Sequence, residues 1–162
     1  MPTASLADFR TPRPWLILAG FLVLVVGVGA LIGTASQPGS WYQSLEKPFF
    51  NPPDWVFGPV WFTLYLLIAI AGWRVFMIEP RSVAMGLWVA QMLLNWAWSP
   101  VWFVGEMLWP AFAIIVAMWL SILGFILVTW RRERVSALCF LPYLAWVSFA
   151  GVLNLSIAIM NS

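Results

Sequence analysis

The stretch AFAIIVAMWLSILGFILV, residues 111–128, decides the fold of this chain. It carries no charged residue and would be apolar around almost the whole circumference of a helix. A helix needs about 20 apolar residues to cross the hydrocarbon core of a bilayer. A strand of a membrane barrel would instead alternate apolar and polar residues over roughly ten positions. The stretch therefore predicts a transmembrane helix.

The same composition extends over the whole chain. Of its 162 residues, 63% are hydrophobic and 9% are charged, and the charges fall at or beyond the ends of five apolar stretches. We name these stretches spans 1 to 5, with approximate bounds 15–35, 53–76, 82–104, 107–130 and 135–159. The sequence predicts an all-α membrane protein whose residues 1–162 form a single domain, a bundle of five transmembrane helices in the lipid bilayer.

The basic residues predict how the bundle is oriented. Seven of the eight precede span 1 or flank the turns between spans 2 and 3 and between spans 4 and 5, and Lys47 alone lies on the other side. Because cytoplasmic loops are enriched in Lys and Arg, we expect the N-terminus to be cytoplasmic and the C-terminus outside. Arg10 and Arg13 before span 1 also fit a secretory signal peptide, but the apolar run is longer than a usual signal and four more spans follow it.

Residue types that are missing narrow the possible chemistry. The chain has no histidine and one cysteine, Cys139, which we expect to serve packing. Zinc sites, Ser-His-Asp triads and disulfides are therefore not expected, and neither a metal site nor a required cofactor is predicted. No charged residue occupies the middle of a span, which disfavours ion-coupled transport. The net charge of +2 follows from the basic residues that are concentrated on one side of the predicted bundle, and it does not indicate nucleic acid binding.

The connection between spans 1 and 2, WYQSLEKPFFNPPDWVF at residues 41–57, combines six aromatic residues with three prolines. Prolines restrict the backbone and lower the entropy lost when a loop orders. Asn51 is a suitable N-cap, so span 2 is expected to begin near Pro53. The connection could serve as a preformed lid over the bundle. The alternative is an interfacial aromatic belt, which many membrane proteins have.

Two stripes mark opposite faces of span 3. Polar side chains recur at i, i+4 and i+8, which places them on one face turned toward the bundle interior: Gln91, Asn95 and Ser99. They would serve either ligand contact or hydrogen bonds between helices. Small residues mark the other face and are candidates for a homodimer interface: Ser82, Gly86 and Ala90. Packing within the chain is the alternative there, and Gly29 and Gly33 on span 1 form a rival small-residue face.

Prolines inside the spans stand near tryptophans. The prolines are expected to free backbone carbonyls or bend the helices and so widen the bundle locally: Pro59, Pro100 and Pro142. The neighbouring tryptophans offer flat surfaces that suit a planar aromatic ligand: Trp61, Trp98 and Trp146. Simple packing is the alternative interpretation of these rings.

Three stretches carry a resemblance to a known family. They are WYQSLEKPFFNPPDWVFGPVWFTLY, QMLLNWAWSPVWF and PYLAWVSFAGVLN, and the chain also holds thirteen tryptophans. Together they resemble the translocator protein family, also called tryptophan-rich sensory proteins or peripheral-type benzodiazepine receptors. The resemblance implies a five-helix bundle, often a homodimer, that binds porphyrins and benzodiazepine-type hydrophobic molecules in a cavity capped by the loop between helices 1 and 2.

The resemblance also implies which residues bind the ligand. By matching position they are Trp41, Tyr42, Phe50, Pro52, Trp61, Gln91, Asn95, Trp98, Ser99, Trp146 and Ala150. Where many family members have a tryptophan before the Pro-Pro pair, this chain has Phe50, which keeps a stacking surface but lacks an indole donor. No catalytic residue is firmly predicted. If bound porphyrin were degraded in light, Trp61 and Trp146 would be the oxidisable rings.

Three roles remain open at this point. The chain could be a membrane sensor or receptor for porphyrins, a light-dependent porphyrin-degrading protein, or a transporter of porphyrin or sterol-like molecules. Leu153-Asn154 is followed by LSIAIMNS, which lacks the Tyr and Lys or Arg of the cholesterol motif found in animal members, so sterol binding is doubtful. That departure, together with the missing transit peptide, predicts a bacterial membrane as the location.

Overall fold

The computed structural model describes residues 12–162 of the chain. Arg10, which contributes to the predicted orientation, lies outside the described residues. Within them every regular element is helical. We number the elements α1 to α6 as follows: α1 Pro12–Ala35, α2 Ser40–Ser44, α3 Asp54–Ile78, α4 Val83–Ser99, α5 Leu108–Thr129 and α6 Arg134–Met160.

Within residues 12–162, four helices, α1, α3, α5 and α6, are long and apolar enough to cross a membrane. The α-helical part of α4 is shorter, at 17 residues. It continues directly into a π-helical turn, Pro100–Val104, in which the Gly105 N–H donates to the Pro100 carbonyl at 2.8 Å. Pro100 has no N–H to continue the α-helical pattern, which explains why the pattern changes here. Pro142 has no such effect, because α6 runs through it as an α-helix.

Local capping explains where α4 begins but not where α3 begins. Ser82 precedes α4, and its side-chain oxygen accepts the Met85 N–H at 3.2 Å, as expected of an N-cap. The predicted N-cap of α3, Asn51, was wrong. The helix begins with a 3₁₀ turn at Asp54, after an extended Pro53, and the Asn51 amide donates instead to the carbonyl of Pro52 at 3.2 Å. Two prolines separate Asn51 from the first helical residue, so its side chain lies too far upstream to cap the helix.

The long helices follow one another around the bundle in the order α1, α3, α6, α5 and α4. The most extensive contacts join α5 to α4 and to α6, and α3 packs between α1 and α6. A smaller contact between the second half of α1 and α4 completes the ring. Because this last contact is slight, the space between α1, α3, α4 and α6 is less tightly filled than the opposite side of the bundle.

The tightly packed side is centred on α5 and α6. The rings of Phe125 and Phe140 stack at 4.0 Å between centroids, and neither is accessible to solvent. Ile122 beside them is also fully buried, whereas Leu120 and Leu127 on the outer face of α5 are exposed. An apolar outer surface is expected where lipid rather than water surrounds a protein.

An ion pair joins two helices at one end of the bundle. The Arg74 guanidinium near the end of α3 donates to both carboxylate oxygens of Glu133, which precedes α6, at 2.5 and 3.0 Å. Ser136 donates its hydroxyl to the same carboxylate at 3.0 Å. Glu133 is 8% exposed and thus buried, and a two-point contact of this kind fixes orientation as well as distance.

A glycine allows α3 and α4 to approach closely. A Cβ at Gly72 would lie 2.5 Å from the indole nitrogen of Trp88. The same indole N–H donates to the Ile68 carbonyl of α3 at 2.9 Å. The Trp88 ring therefore fills a site on α3 that any larger residue at position 72 would occupy.

We predict that Gly72→Val destabilises the protein by about 1–3 kcal/mol, because the added side chain displaces the Trp88 ring and breaks its hydrogen bond. Thermal unfolding in detergent would measure the loss. Gly20→Val is the matched control, since a Cβ at Gly20 meets no atom within 4 Å. Equal unfolding temperatures for the two variants would contradict the close packing of α3 and α4.

Candidate functional site

A cavity of about 580 Å³ lies between α1, α3, α4, α6 and the connecting segment, which we define as residues 36–53 between α1 and α3. Ligand sites for small molecules typically have volumes of about 300–1,000 Å³. The walls are mostly apolar, with polar groups at a few places. The lining residues used below are Gly29, Gly33, Gln37, Tyr42, Gln43, Asp54, Trp61, Tyr65, Asn95, Trp98, Ser99, Trp102, Phe103, Ala150 and Asn154.

Two glycines of α1 determine the width of the cavity. A Cβ at Gly29 would collide with the Tyr65 ring, whose Cζ atom would be 2.8 Å away. At Gly33 a Cβ would meet nothing within 4 Å, so this position leaves open space. Gly29 thus faces α3 of the same chain, and the alternative that Gly29 belongs to a dimer face was wrong. Gly29 allows α1 to pack against the Tyr65 ring, and Gly33 leaves open space beside the cavity.

Aromatic rings form two walls. On α4 the rings of Trp98 and Trp102 stack at 5.9 Å with an interplanar angle of 13°. On α3 the Trp61 ring lies 5.4 Å from that of Tyr65. The π-helical turn after Ser99 keeps Trp102 on the same side of the helix as Trp98. These surfaces suit a flat, conjugated ligand.

A chain of hydrogen bonds crosses three helices beside the cavity. The Tyr65 hydroxyl of α3 donates to the Asn95 side-chain oxygen of α4 at 3.2 Å. The Asn95 amide donates to the Tyr143 hydroxyl of α6 at 2.9 Å. Tyr143 is fully buried and contacts the sulfur of Met118 at 3.2 Å. Of the two functions predicted for the polar stripe, Asn95 therefore performs interhelical bonding, while it also lines the cavity.

The connecting segment contributes Tyr42 to the cavity lining, and contacts within the segment hold this residue in place. The Lys47 ammonium donates to the Tyr42 carbonyl at 2.7 Å and lies 4.6 Å from the centre of the Tyr42 ring. Burial raises the pKa of the Tyr42 phenol above its ordinary value, and the nearby Asp54 carboxylate raises this pKa further. Tyr42 thus keeps its proton at neutral pH and can donate a hydrogen bond.

The connecting segment is also attached to the end of α6. The Glu46 N–H donates to the side-chain oxygen of Asn161 at 2.9 Å, and the Asn161 amide donates back to the Glu46 carbonyl at 2.9 Å. Two hydrogen bonds between one side chain and one residue's backbone define a single geometry for the contact. The C-terminal turn of α6 therefore helps to position the segment.

Six of the eleven predicted ligand-binding residues line the cavity: Tyr42, Trp61, Asn95, Trp98, Ser99 and Ala150. The connecting segment places the other aromatic candidates behind this lining. The Trp41 ring packs edge-on against Trp102 at 6.1 Å, and the Phe50 ring lies against Phe149 at 6.4 Å. Pro52 lies outside the lining as well, although its carbonyl accepts the Asn51 amide. These three residues do not line the cavity, and their ligand-binding role on the lid stays a prediction.

Gln91 and Trp146 also lie outside the cavity, for a shared geometrical reason. Along an i, i+4, i+8 series, each side chain is rotated by about 40° around the helix axis relative to the one before it. The first and last members therefore point in directions about 80° apart. Gln91 is fully buried and donates to the Trp88 carbonyl at 2.8 Å. Trp146 instead lines a shallow groove on the outside of α3 and α6. Gln91 thus faces the bundle interior, as the polar stripe predicted, although it does not line the cavity, and the ligand contact of both residues stays a prediction.

Several lining residues were not predicted from the sequence. Tyr65 and Asn154 each follow a predicted residue, Trp61 and Ala150, by four positions on the same helix. That spacing was the available signal for them. Asp54 and the two glutamines of the connection, Gln37 and Gln43, have no periodic signal, because they do not lie on one helix. In residues 12–162 no group of three or more His, Cys, Asp or Glu side chains could hold a metal ion.

Comparison with known proteins places these features in a family. Residues 20–160 match the model of the TspO/MBR family. Protein CrtK from Rhodobacter capsulatus is 36% identical over 149 residues, which cover 90% of this chain and 92% of the relative. The tryptophan-rich sensory protein of Cereibacter sphaeroides is 33% identical, with coverages of 91% and 92%. The human translocator protein is 32% identical, with coverages of 87% and 88%.

We predict that Asn95→Leu lowers the free energy of unfolding by about 1–3 kcal/mol, because it leaves the Tyr65 hydroxyl without its acceptor and Tyr143 without its donor. Chemical or thermal unfolding in detergent would measure this effect. Ser99→Ala is the control, since Ser99 lies one turn further along α4 on the cavity wall. A stability of Asn95→Leu equal to that of Ser99→Ala would show that the hydrogen-bond chain does not hold the helices together.

Proposed function

The chain belongs to the TspO/MBR family, and from this membership we propose that it is a membrane receptor or sensor for porphyrins and related hydrophobic ligands. The proposed ligands of this receptor are tetrapyrroles and benzodiazepine-type molecules. In this proposal a porphyrin is a ligand of the protein, and the protein requires no cofactor. The observation that carries the proposal is the cavity of about 580 Å³ between aromatic walls on α3 and α4.

The walls fit the chemistry of a flat conjugated ring. Trp61, Trp98 and Trp102 offer ring faces or edges, and stacked or edge-on contacts between aromatic rings add about 0.5–1.5 kcal/mol beyond the burial of their area. The lining contains one charged residue, Asp54, on the side of the connecting segment. A porphyrin would place its apolar macrocycle between the walls and its carboxylates toward water.

The connecting segment would serve as the lid of this site. Its Tyr42 lines the cavity, and its position depends on Lys47 and on the two hydrogen bonds to Asn161. Relatives of the chain carry the names sensory protein and translocator protein. A lid whose position changes with ligand binding would give a sensor its signal. For that, the ligand must bind one position of the lid more tightly than the other.

In the membrane we propose five crossings. The four long apolar helices supply four of them, and α4 with its π-helical turn, residues 83–104, supplies the fifth. The Arg residues at the α3–α4 and α5–α6 turns would face the cytoplasm, with the connecting segment and the C-terminus on the outside of a bacterial membrane. The ligand would then enter from the outer side of that membrane.

A second candidate function is light-dependent porphyrin degradation, and the placement of Trp61 favours it. This indole lines the cavity beside Tyr65, so two oxidisable rings lie next to the proposed ligand. Trp146 lies on the outer groove, away from this pair. Trp61 is therefore the residue through which light absorbed by a bound porphyrin would act.

We also propose that the protein forms a homodimer through the outer face of α4. A Cβ at Gly86 would meet no atom of residues 12–162 within 4 Å, and Val83 and Leu93 on this helix are 70% and 58% exposed. Ser82 and Ala90 border the same face and are partly accessible. A second helix could approach closely at such a surface.

We predict that protoporphyrin binds the purified protein in the dark, and that Trp61→Ala weakens this binding about tenfold through the loss of a stacking surface. Trp146→Ala removes the same ring from the groove and should change the affinity by no more than about threefold. Titration followed by porphyrin absorbance measures both affinities. Absence of binding to the unmodified protein would refute the proposed function, and a larger effect at Trp146 would move the site to the groove.

The same samples distinguish the second candidate when they are illuminated. Loss of porphyrin absorbance that disappears in Trp61→Phe but persists in Trp146→Phe supports degradation through the cavity. A rate of loss equal to that in empty detergent micelles removes the degradation function and leaves the receptor.

For the dimer, we predict that Gly86→Leu yields monomers in detergent, because the added side chain keeps the partner helix at a distance. Gly20→Leu is the control, since Gly20 on α1 has the same open surroundings. Sedimentation analysis reports the oligomeric state. A dimeric Gly86→Leu variant would locate the interface elsewhere.

A further inference from the structure

We propose that Asn154 and Trp98 form a polar subsite within the cavity that selects planar ligands with a neutral lactam or cis-amide edge. This inference rests on the proposed function, because it needs a cavity that admits a flat ligand. Beyond the proposed function, the subsite specifies which polar group the ligand carries and which residues recognise that group.

Asn154 is the central observation. It lines the cavity on α6, one turn after Ala150, and it is 2% exposed. Neither its side-chain nitrogen nor its oxygen has a hydrogen-bond partner among residues 12–162. The indole nitrogen of Trp98, also on the cavity wall, is likewise buried and unpaired within the described range.

Among the described residues, Asn154 differs from the other buried amides because both of its side-chain polar atoms lack a partner. Asn95 uses both its oxygen and its nitrogen in bonds to tyrosines, and the Gln91 nitrogen donates to the Trp88 carbonyl. A buried polar group that lacks a partner costs about 1–3 kcal/mol, so native proteins rarely keep one without a reason. At a cavity wall that reason is a ligand that supplies the missing bonds.

The unpaired atoms define the complementary group. A carboxamide presents an N–H donor and a C=O acceptor side by side, and a lactam or cis-amide presents the same pair in the opposite sense. Two hydrogen bonds can therefore form in one plane, and the Trp98 N–H is available for a further acceptor. A carboxylate would offer acceptors only and would leave the Asn154 oxygen unpaired.

The charges around the cavity also favour a neutral group. Its lining contains no Lys or Arg, and its charged residue is the acidic Asp54. An anion moved into such a site would lose its hydration without gaining a counter-ion. A lactam carries no net charge and avoids this penalty.

Two flat probes test the subsite: phenanthridin-6(5H)-one, a tricyclic lactam with a free N–H, and its 5-methyl derivative, in which that donor is blocked. We expect the free lactam to bind the full-length protein in detergent about tenfold more tightly than the methyl derivative, as two hydrogen bonds would provide. In Asn154→Leu the preference should fall below about threefold. Ligand fluorescence in a titration measures each affinity.

Gln91→Leu is the matched control. It also replaces a buried amide that has an unpaired oxygen, but one outside the cavity, so the preference for the free lactam should remain. If Asn154→Leu does not fold, Asn154→Ala replaces it. Thermal unfolding adds an independent measure, since removing an unpaired amide should leave the unfolding temperature of the ligand-free protein unchanged or raised, whereas a structural asparagine would lower it.

The outcomes separate this inference from the proposed function. Equal affinities of the two probes for the unmodified protein, or a preference that survives in Asn154→Leu, would overturn the subsite while porphyrin binding stands. A lower unfolding temperature in both Asn154 variants would assign the residue to structure and also overturn the subsite. If porphyrin and both probes fail to bind, the receptor function and the subsite fall together.

Discussion

A bilayer offers polar groups no hydrogen-bond partner, and the inner side of this bundle is arranged around that constraint. Backbone groups are satisfied by helices throughout the proposed spans, and side chains must find partners on neighbouring helices. The chain of bonds through Tyr65, Asn95 and Tyr143 does this for α3, α4 and α6 at once. Because each bond has a defined geometry, the network also fixes the rotation of the helices that form the cavity walls.

The two ends of the bundle are held differently from its middle. Where water can reach, the ion pair of Arg74 and Glu133 ties α3 to α6. At the opposite end the neutral side chain of Asn161 ties α6 to the connecting segment. Helix α6 is thus anchored at both ends, and it carries Ala150 and Asn154 between the anchors. These two anchors fix the position of the cavity wall that α6 provides.

Sequence patterns predicted the helical segments well, because four of them within residues 12–162 are apolar over a length that a membrane requires. The polar stripe of α4 predicted that Gln91, Asn95 and Ser99 face the bundle interior, and of these Asn95 and Ser99 line the cavity whereas Gln91 is buried beside it. An i, i+4 series drifts by about 40° per step, so a pattern of three positions cannot show which member leaves the wall. The connecting segment was still harder, since Trp41, Phe50 and Asn51 follow no helical period and their directions depend on contacts with Trp102 and Phe149.

Buried amides that look alike in the sequence have separate roles in the structure. Asn95 is bonded on both sides and holds helices together, whereas Asn161 bonds to backbone and holds the connection. The Asn154 side chain differs from both, because it forms no hydrogen bond to a helix or to the connecting segment within residues 12–162. A fully satisfied wall would leave a ligand nothing to recognise except shape, and a wall with many unpaired groups would destabilise the fold. An amide with both polar atoms unpaired, beside a firmly bonded network, meets both requirements, because the network maintains the cavity in which this amide can select a ligand.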